Sequence, residues 1–146
     1  MRMAIGADHA GFGLKETIKQ YLVGRGIEVR DFGTTGKESV DYPDYGRLVA
    51  EAVAAGECER GVLVCSTGIG MSIVANKVKG VRAAVVYNVD VAVQSKAHLD
   101  SNVLVFGEKY VGPETALAAV ERWLAASFEG GRHERRLKKI TDQEAC

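Results

Sequence analysis

Cys65 heads the most chemically suggestive stretch of the chain, Gly61-Val62-Leu63-Val64-Cys65-Ser66-Thr67-Gly68-Ile69-Gly70-Met71-Ser72-Ile73. The residues before it are apolar or glycine, which predicts a short buried strand ending at the thiol. A turn of small residues with two glycines follows, then a segment of helical character to about Lys77. A strand that passes through a glycine-rich turn into a helix aims several backbone N–H groups at one point, where negative charge is stabilised. A cysteine facing the positive end of that helix is favoured as the thiolate. The stretch therefore offers a base or nucleophile beside an oxyanion cradle. The plainer reading is a small core residue, the usual fate of a cysteine after apolar neighbours. On these residues alone both readings stand.

Other loops fit less well. As a dinucleotide fingerprint, Gly68-x-Gly70 has Ile73 where a third glycine or alanine belongs and follows the third expected strand, although Asp90 lies about 20 residues on, where a ribose-binding acid would fall. The chain has no Walker Gly-Lys-Ser/Thr. A thiol-phosphatase loop would need arginine where Met71 stands.

The remaining chemistry-bearing residues are few. His9, His98 and His133 are the only histidines. A lone histidine usually packs or faces solvent, but these fall at a strand end, a helix–strand junction and beside a Gly-Gly turn, where site residues collect. No pair of them has metal-ligand spacing, so no metal site is expected. Arg132, Arg135, Arg136, Lys138 and Lys139 crowd the tail. Arg132 and Arg136 share a helix face and could clamp one phosphate; the alternative is a solvated face. No base-stacking aromatics accompany them, which argues against nucleic acid. Asp41-Tyr42-Pro43 reads as a helix start whose Tyr42 hydroxyl could reach a ligand at the strand ends.

The elements that must position these residues follow from periodicity. Strands are expected at Arg2–Ala7, Ile27–Phe32 (nearer an edge), up to Cys65, Val81–Tyr87 and Asn102–Phe106. Helices are expected at Phe12–Arg25, Pro43–Ala55, after Gly70, at Asn88–Ala97, Pro113–Phe128 and Arg132–Ala145. Strand and helix alternate with connections long enough for crossovers, which gives an α/β protein with a parallel sheet covered on both faces. Ligands in such folds bind beyond the carboxyl ends of the strands, where Asp8, His9, Cys65, Ser66 and Thr67 fall.

Composition bounds the rest. The chain has 146 residues, 47% apolar and 26% charged, enough for one domain with a real core. Positive and negative side chains balance at 19 each, against a general nucleic-acid binder. Cys58, Cys65 and Cys146 form neither a disulfide framework nor a zinc pattern, so a reducing, cytoplasmic setting is expected. No signal-peptide core or membrane-spanning run is expected.

Asp8-His9-Ala10-Gly11, Asp41-Tyr42-Pro43, Cys65-Ser66-Thr67-Gly68-Ile69-Gly70, Ala75-Asn76-Lys77, Asn102-Val103-Leu104 and Gly130-Gly131-Arg132-His133 span the chain almost end to end. In that order they resemble the ribose-5-phosphate isomerase type B family, which includes the galactose-6-phosphate isomerase subunits. The resemblance implies a three-layer Rossmann-like or flavodoxin-like fold with a five-stranded parallel sheet. It implies one domain over 1–146, with a tail helix (132–146) packing on a partner subunit. It further implies a homodimer or a pair of dimers, active sites shared across the interface, and no metal or cofactor. The implied reaction is isomerisation of ribose 5-phosphate and ribulose 5-phosphate through an enediolate, a step of the pentose phosphate pathway. Cys65 would be the base, and His98, helped by Thr67, would open the ring. N–H groups of Ser66, Gly68, Ile69 and Gly70 would hold the enediolate oxygens. Asp8 and Tyr42 would contact hydroxyls, and His9, Arg132 and Arg136 the phosphate, some from the partner.

Three positions depart from the pattern. Leu99 stands where an asparagine usually follows the histidine, Lys96 replaces an arginine, and Lys109 replaces an arginine that helps bind phosphate. Leu99 presents an apolar wall instead of an amide donor. It opens the substrate to a four-carbon sugar phosphate, allose 6-phosphate or galactose 6-phosphate. A non-catalytic sugar-phosphate or nucleotide-binding module is the alternative of another class.

Overall fold

Runs of apolar residues build the strands, and their register sets the site. The computed structural model describes residues 1–145, so Cys146 lies outside the described residues. Strands β1 (Arg2–Ala7), β2 (Glu28–Asp31), β3 (Arg60–Cys65), β4 (Ala83–Val85) and β5 (Val103–Gly107) form one parallel sheet in the order β2-β1-β3-β5-β4. Helices α1 (Phe12–Gly24), α2 (Tyr42–Ala54), α3 (Ile69–Asn76), α4 (Val89–Leu99), α5 (Pro113–Ala125) and α6 (Arg132–Asp142) alternate with them, and a 3-10 turn (Gln143–Ala145) follows α6. The expected α/β fold with a five-stranded parallel sheet and a C-terminal helical tail is the one observed. The mostly exposed β2 does lie at an edge. Against the flavodoxin order 2-1-3-4-5, one difference stands out: β5 sits between β3 and β4.

Side-chain alternation divides the core. Met3, Ile5, Val62, Val64, Leu104 and Phe106 face α1, α4 and α5, whose Ile18, Ala92 and Trp123 complete that layer. Ala4, Leu63, Cys65, Val103 and Val105 face α2 and α3, against Val49, Val53, Met71 and Ala75. Trp123 is fully buried, with its indole N–H donating to Ser101 Oγ at 2.9 Å. The site thus stands on a rigid platform whose central strand, β3, is buried almost throughout.

β4 and α5 are shorter than periodicity predicts, as are β2, by one residue at each end, and α6, whose last three expected residues form the 3-10 turn. The strand expected over Val81–Tyr87 is only Ala83–Val85, because side-chain amides serve its approach: Arg82 N–H donates to Asn102 Oδ1 and Ala83 N–H to Asn76 Oδ1, each at 2.8 Å. α5 stops at Ala125, and beyond it Glu129 N–H bonds the Ala97 carbonyl at 2.9 Å, drawing the chain onto α4. Cys58 and Cys65 carry free thiols. Among the described residues no helix is long and apolar enough to cross a membrane.

Candidate active site

The thiol of Cys65 lies at the carboxyl end of β3, 5% exposed, and Gly68 N–H donates to its Sγ at 3.2 Å. Gly68 makes this possible: its φ is +83°, and a Cβ there would meet Val85 Cγ2 at 2.8 Å. α3 starts at Ile69, two residues before the helix expected after Gly70. Its first helical bond runs from Ser72 N–H to the Gly68 carbonyl, so the N–H groups of Gly70 and Met71 precede the ladder and are free for a ligand.

Neighbouring groups brace this turn. Ile69 N–H donates to Thr67 Oγ1 at 3.2 Å, and the Tyr87 hydroxyl donates to the Thr67 carbonyl at 2.9 Å. The loop after β5 closes over it, with Glu108 N–H on the Cys65 carbonyl (2.8 Å) and Lys109 N–H on that of Ser66 (3.0 Å). The Tyr42 ring lies on Gly70 so closely that an added Cβ would meet it at 2.5 Å. Asp8, at the end of β1, is buried and accepts the Gly11 N–H at 3.0 Å. Asp8, Tyr42, Ser66, Thr67, Ile69 and Gly70 line, with Cys65 and Ile73, a hollow of about 440 Å³. It opens between the ends of β1 and β3, where the connections diverge to opposite sides of the sheet. Next to Asp8, the Nδ1 of His9 accepts the Val40 N–H at 3.1 Å, leaving Nε2 as the protonated nitrogen.

His98 is elsewhere. It lies in the last turn of α4 and stacks on His133 of α6, with ring centroids 4.1 Å apart and planes 8° from parallel. His98, Leu99, His133 and Arg136 line a second hollow of about 500 Å³. Leu99 is 46% exposed there. Burial, then His98 and Arg132, hold the His133 imidazole below its usual value, with Glu129 opposing them. Arg132 is exposed at the start of α6. The Lys109 side chain lines neither hollow but a third, with Gly13, Thr17 and Tyr110. The fold therefore gathers most of the residues singled out in the sequence into one cradle, and sets His98, Leu99 and Arg136 in another.

Three participants escaped sequence reasoning: Tyr87, Ile73 and Glu129. Tyr87 and Ile73 carried no signal beyond an expected strand and helix. Glu129 precedes the Gly-Gly pair that folds it back onto His98 and His133. The expectation that no histidines pair as metal ligands came from spacing along the chain; in the fold His98 and His133 are neighbours.

The Ribose/Galactose Isomerase family model matches residues 3–140. The chain belongs to that family. Ribose-5-phosphate isomerase B of Escherichia coli (strain K12) is 50% identical over 140 residues, covering 96% of this chain and 94% of the relative. D-erythrulose-4-phosphate isomerase of Pectobacterium atrosepticum is 41% identical over 142 residues, covering 96% and 93%. The structure of Clostridium thermocellum ribose-5-phosphate isomerase B superposes with a TM-score of 0.98 at 54% identity, covering 99% of this chain and 98% of that one. This member of the family thus carries its Cys65 cradle and its paired histidines on a backbone nearly identical to that of a solved relative.

Proposed function

We propose that the protein is an aldose–ketose isomerase interconverting ribose 5-phosphate and ribulose 5-phosphate. The observation that carries this reading is the Gly68 N–H on Cys65 Sγ beside the open amino end of α3. A C–H next to a carbonyl is a weak acid, so the reaction needs a placed base and a partner for the oxyanion. The Cys65 thiolate removes the C2 proton of the open-chain aldose, and charge builds on O1. N–H groups of the Ser66–Gly70 turn hold that charge. The thiol returns the proton to C1 as the O2 hydroxyl proton passes to O1, giving the ketose. Asp8 and Tyr42 hold sugar hydroxyls. His98, with Thr67 as helper, opens the furanose ring. His9, Lys109, Arg132 and Arg136 serve the phosphate, whose remote binding energy positions the reacting carbons. In this reading side chains and backbone N–H groups supply every step, without a metal ion or cofactor.

A homodimer follows within the same reading. The Cys65 and His98 hollows are separate in one chain. Apolar Ile69, Ile73, Tyr87, Val91 and Leu99 are exposed around them. A two-fold contact would set the Cys65 hollow of one chain against the His98 hollow of the other, and α6 would pack on the partner. Pairing of such dimers into a tetramer is compatible with this contact, and a cytoplasmic enzyme is the setting that fits free thiols.

Leu99 and the D-erythrulose-4-phosphate isomerase relative favour a second substrate, a four-carbon sugar phosphate. An apolar wall in place of an amide suits a shorter chain with fewer hydroxyls. The deciding experiment assays purified protein and Leu99→Asn against ribose 5-phosphate, D-erythrulose 4-phosphate and aldose 6-phosphates, following solvent deuterium into the substrate. Ribose 5-phosphate should turn over fastest with the unaltered protein. Much faster turnover of another sugar overturns the substrate assignment, and binding without deuterium exchange makes the protein a binding module. Cys65→Ala should lower exchange at least about 100-fold while sugar-phosphate binding persists.

A further inference from the structure

We propose that His98, Glu129 and His133 form a site for one divalent transition-metal ion of the zinc class. Backbone geometry builds the cluster. Glu129 is tied to the end of α4 through its N–H on the Ala97 carbonyl at 2.9 Å. Gly130 and Gly131, both at positive φ (+73° and +59°), then reverse the chain, and His133 N–H bonds the Gly130 carbonyl at 3.1 Å. The turn brings the Glu129 carboxylate against both imidazoles: Oε1 lies 3.7 Å from His98 Nε2 and 3.6 Å from His133 Nε2.

Those separations are too long for hydrogen bonds. They lie close to the edge of a coordination tetrahedron, about 3.4 Å for ligands held about 2.05 Å from zinc. The three donor atoms all fall within 4.8 Å of one another. Independently, His133 Nε2 is buried with no hydrogen-bond partner in a side chain only 9% exposed. A buried polar atom left unpaired is costly, and here it faces a carboxylate it cannot quite reach. An ion between them satisfies both.

The donor set chooses the ion. Two imidazoles and one carboxylate, with water in the fourth position, suit zinc or cobalt; magnesium and calcium require oxygen ligands. Arg132 and Arg136 add positive charge nearby, so the ion is held by ligand bonds and not by the local field. The stacked rings must fan apart for their lone pairs to converge. His98 and Glu129, at 39% and 57% side-chain exposure, have the freedom to move. An occupied site withholds His98 from the sugar, a consequence that rests on the isomerase reading, whereas the site does not.

The test reads the metal directly. Chelator-treated protein is titrated with Co²⁺, followed by visible absorption, and with Zn²⁺ in equilibrium dialysis. One ion per chain is expected, with tetrahedral cobalt bands and no sulfur-to-cobalt charge transfer. Glu129→Gln, a change at an exposed side chain, should weaken binding at least about tenfold, and His133→Gln similarly. The double variant Cys65→Ser, Cys146→Ser should bind like the unaltered chain. Failure to bind, or binding that survives Glu129→Gln and disappears with the thiols, overturns the proposal. Binding in a chain that never isomerises sugars keeps the site and rejects the isomerase reading instead.

Discussion

Lys15 is a charged residue buried to 1% exposure, and it ties together loops beside the candidate site. Its Nζ donates to both oxygens of Asp31 (2.9 and 2.8 Å) and to the Thr34 carbonyl at 2.8 Å. Thr34 N–H in turn bonds the Ala7 carbonyl, next to Asp8, at 2.7 Å. Burial by itself raises the Asp31 carboxyl, but hydrogen bonds from Lys15, Gly33 and Lys19 outweigh it and hold it below its ordinary value of 3.8. A carboxyl lowered on folding adds stability above its unfolded value, and that stability is lost as pH falls through the folded one. Asp31→Asn should therefore cost about 3 kcal/mol at neutral pH, because it leaves the buried ammonium only Glu16 as counter-ion, at 3.2 Å, and flatten the acid limb of the stability curve below about pH 4. Lys15→Met should cost less. Urea unfolding across that range checks both. Cys65 was legible at this scale because strand, thiol and glycine turn are contiguous. Lys15 was not, since only the fold brings it to Asp31 and Thr34.

Among the elements, the start of α3 and the start of α2 act as one unit. Gly70 leaves the space into which the Tyr42 ring fits, 2.5 Å from where a Cβ would stand. Tyr42 is 39% exposed, so it can swing outward without unfolding anything. Gly70→Ala should leave the melting temperature within a few degrees of the unaltered protein and lower kcat/KM about tenfold or more. Adding Tyr42→Ala to Gly70→Ala should cost little further activity, since both remove the same contact; additive losses in the double-mutant cycle would refute the coupling. Periodicity revealed nearly every element, because each buries one face. It misjudged where β4 begins and α5 ends, where side-chain amides and a long-range backbone bond, not pattern, decide. Strand order was illegible too: nothing local records that β5 enters between β3 and β4.

For the molecule as a whole, the separation of the two hollows makes a sharp prediction. If sites are shared across a two-fold axis, chains bearing Cys65→Ala and chains bearing His98→Asn are each inactive alone. Each mixed dimer, however, contains one intact site and one doubly defective site. Random mixing on co-expression should restore about a quarter of the unaltered activity, and mixed dimers purified through two tags about half. No recovery would mean that Cys65 and His98 serve one chain's site or none. The sequence resemblance suggested shared sites, but what separates the halves is tertiary: His98 turns toward α6, whereas Cys65 faces α3.

The insertion of β5 into the sheet also bears on how the chain comes off the ribosome. β4 is made before β5 yet has no other strand to pair with. Before Val103–Gly107 emerges, β4 is therefore held only through α3, whose Asn76 side chain bonds the Ala83 N–H and carbonyl. The loop that follows this late strand supplies the N–H groups that close over Cys65 and Ser66, and Gly107 packs on Thr67. The thiol is thus translated midway through synthesis but acquires its surroundings only near the end. A chain truncated before β5 therefore carries Cys65 without the backbone groups that surround it, a dependence written into strand order and not into any single residue.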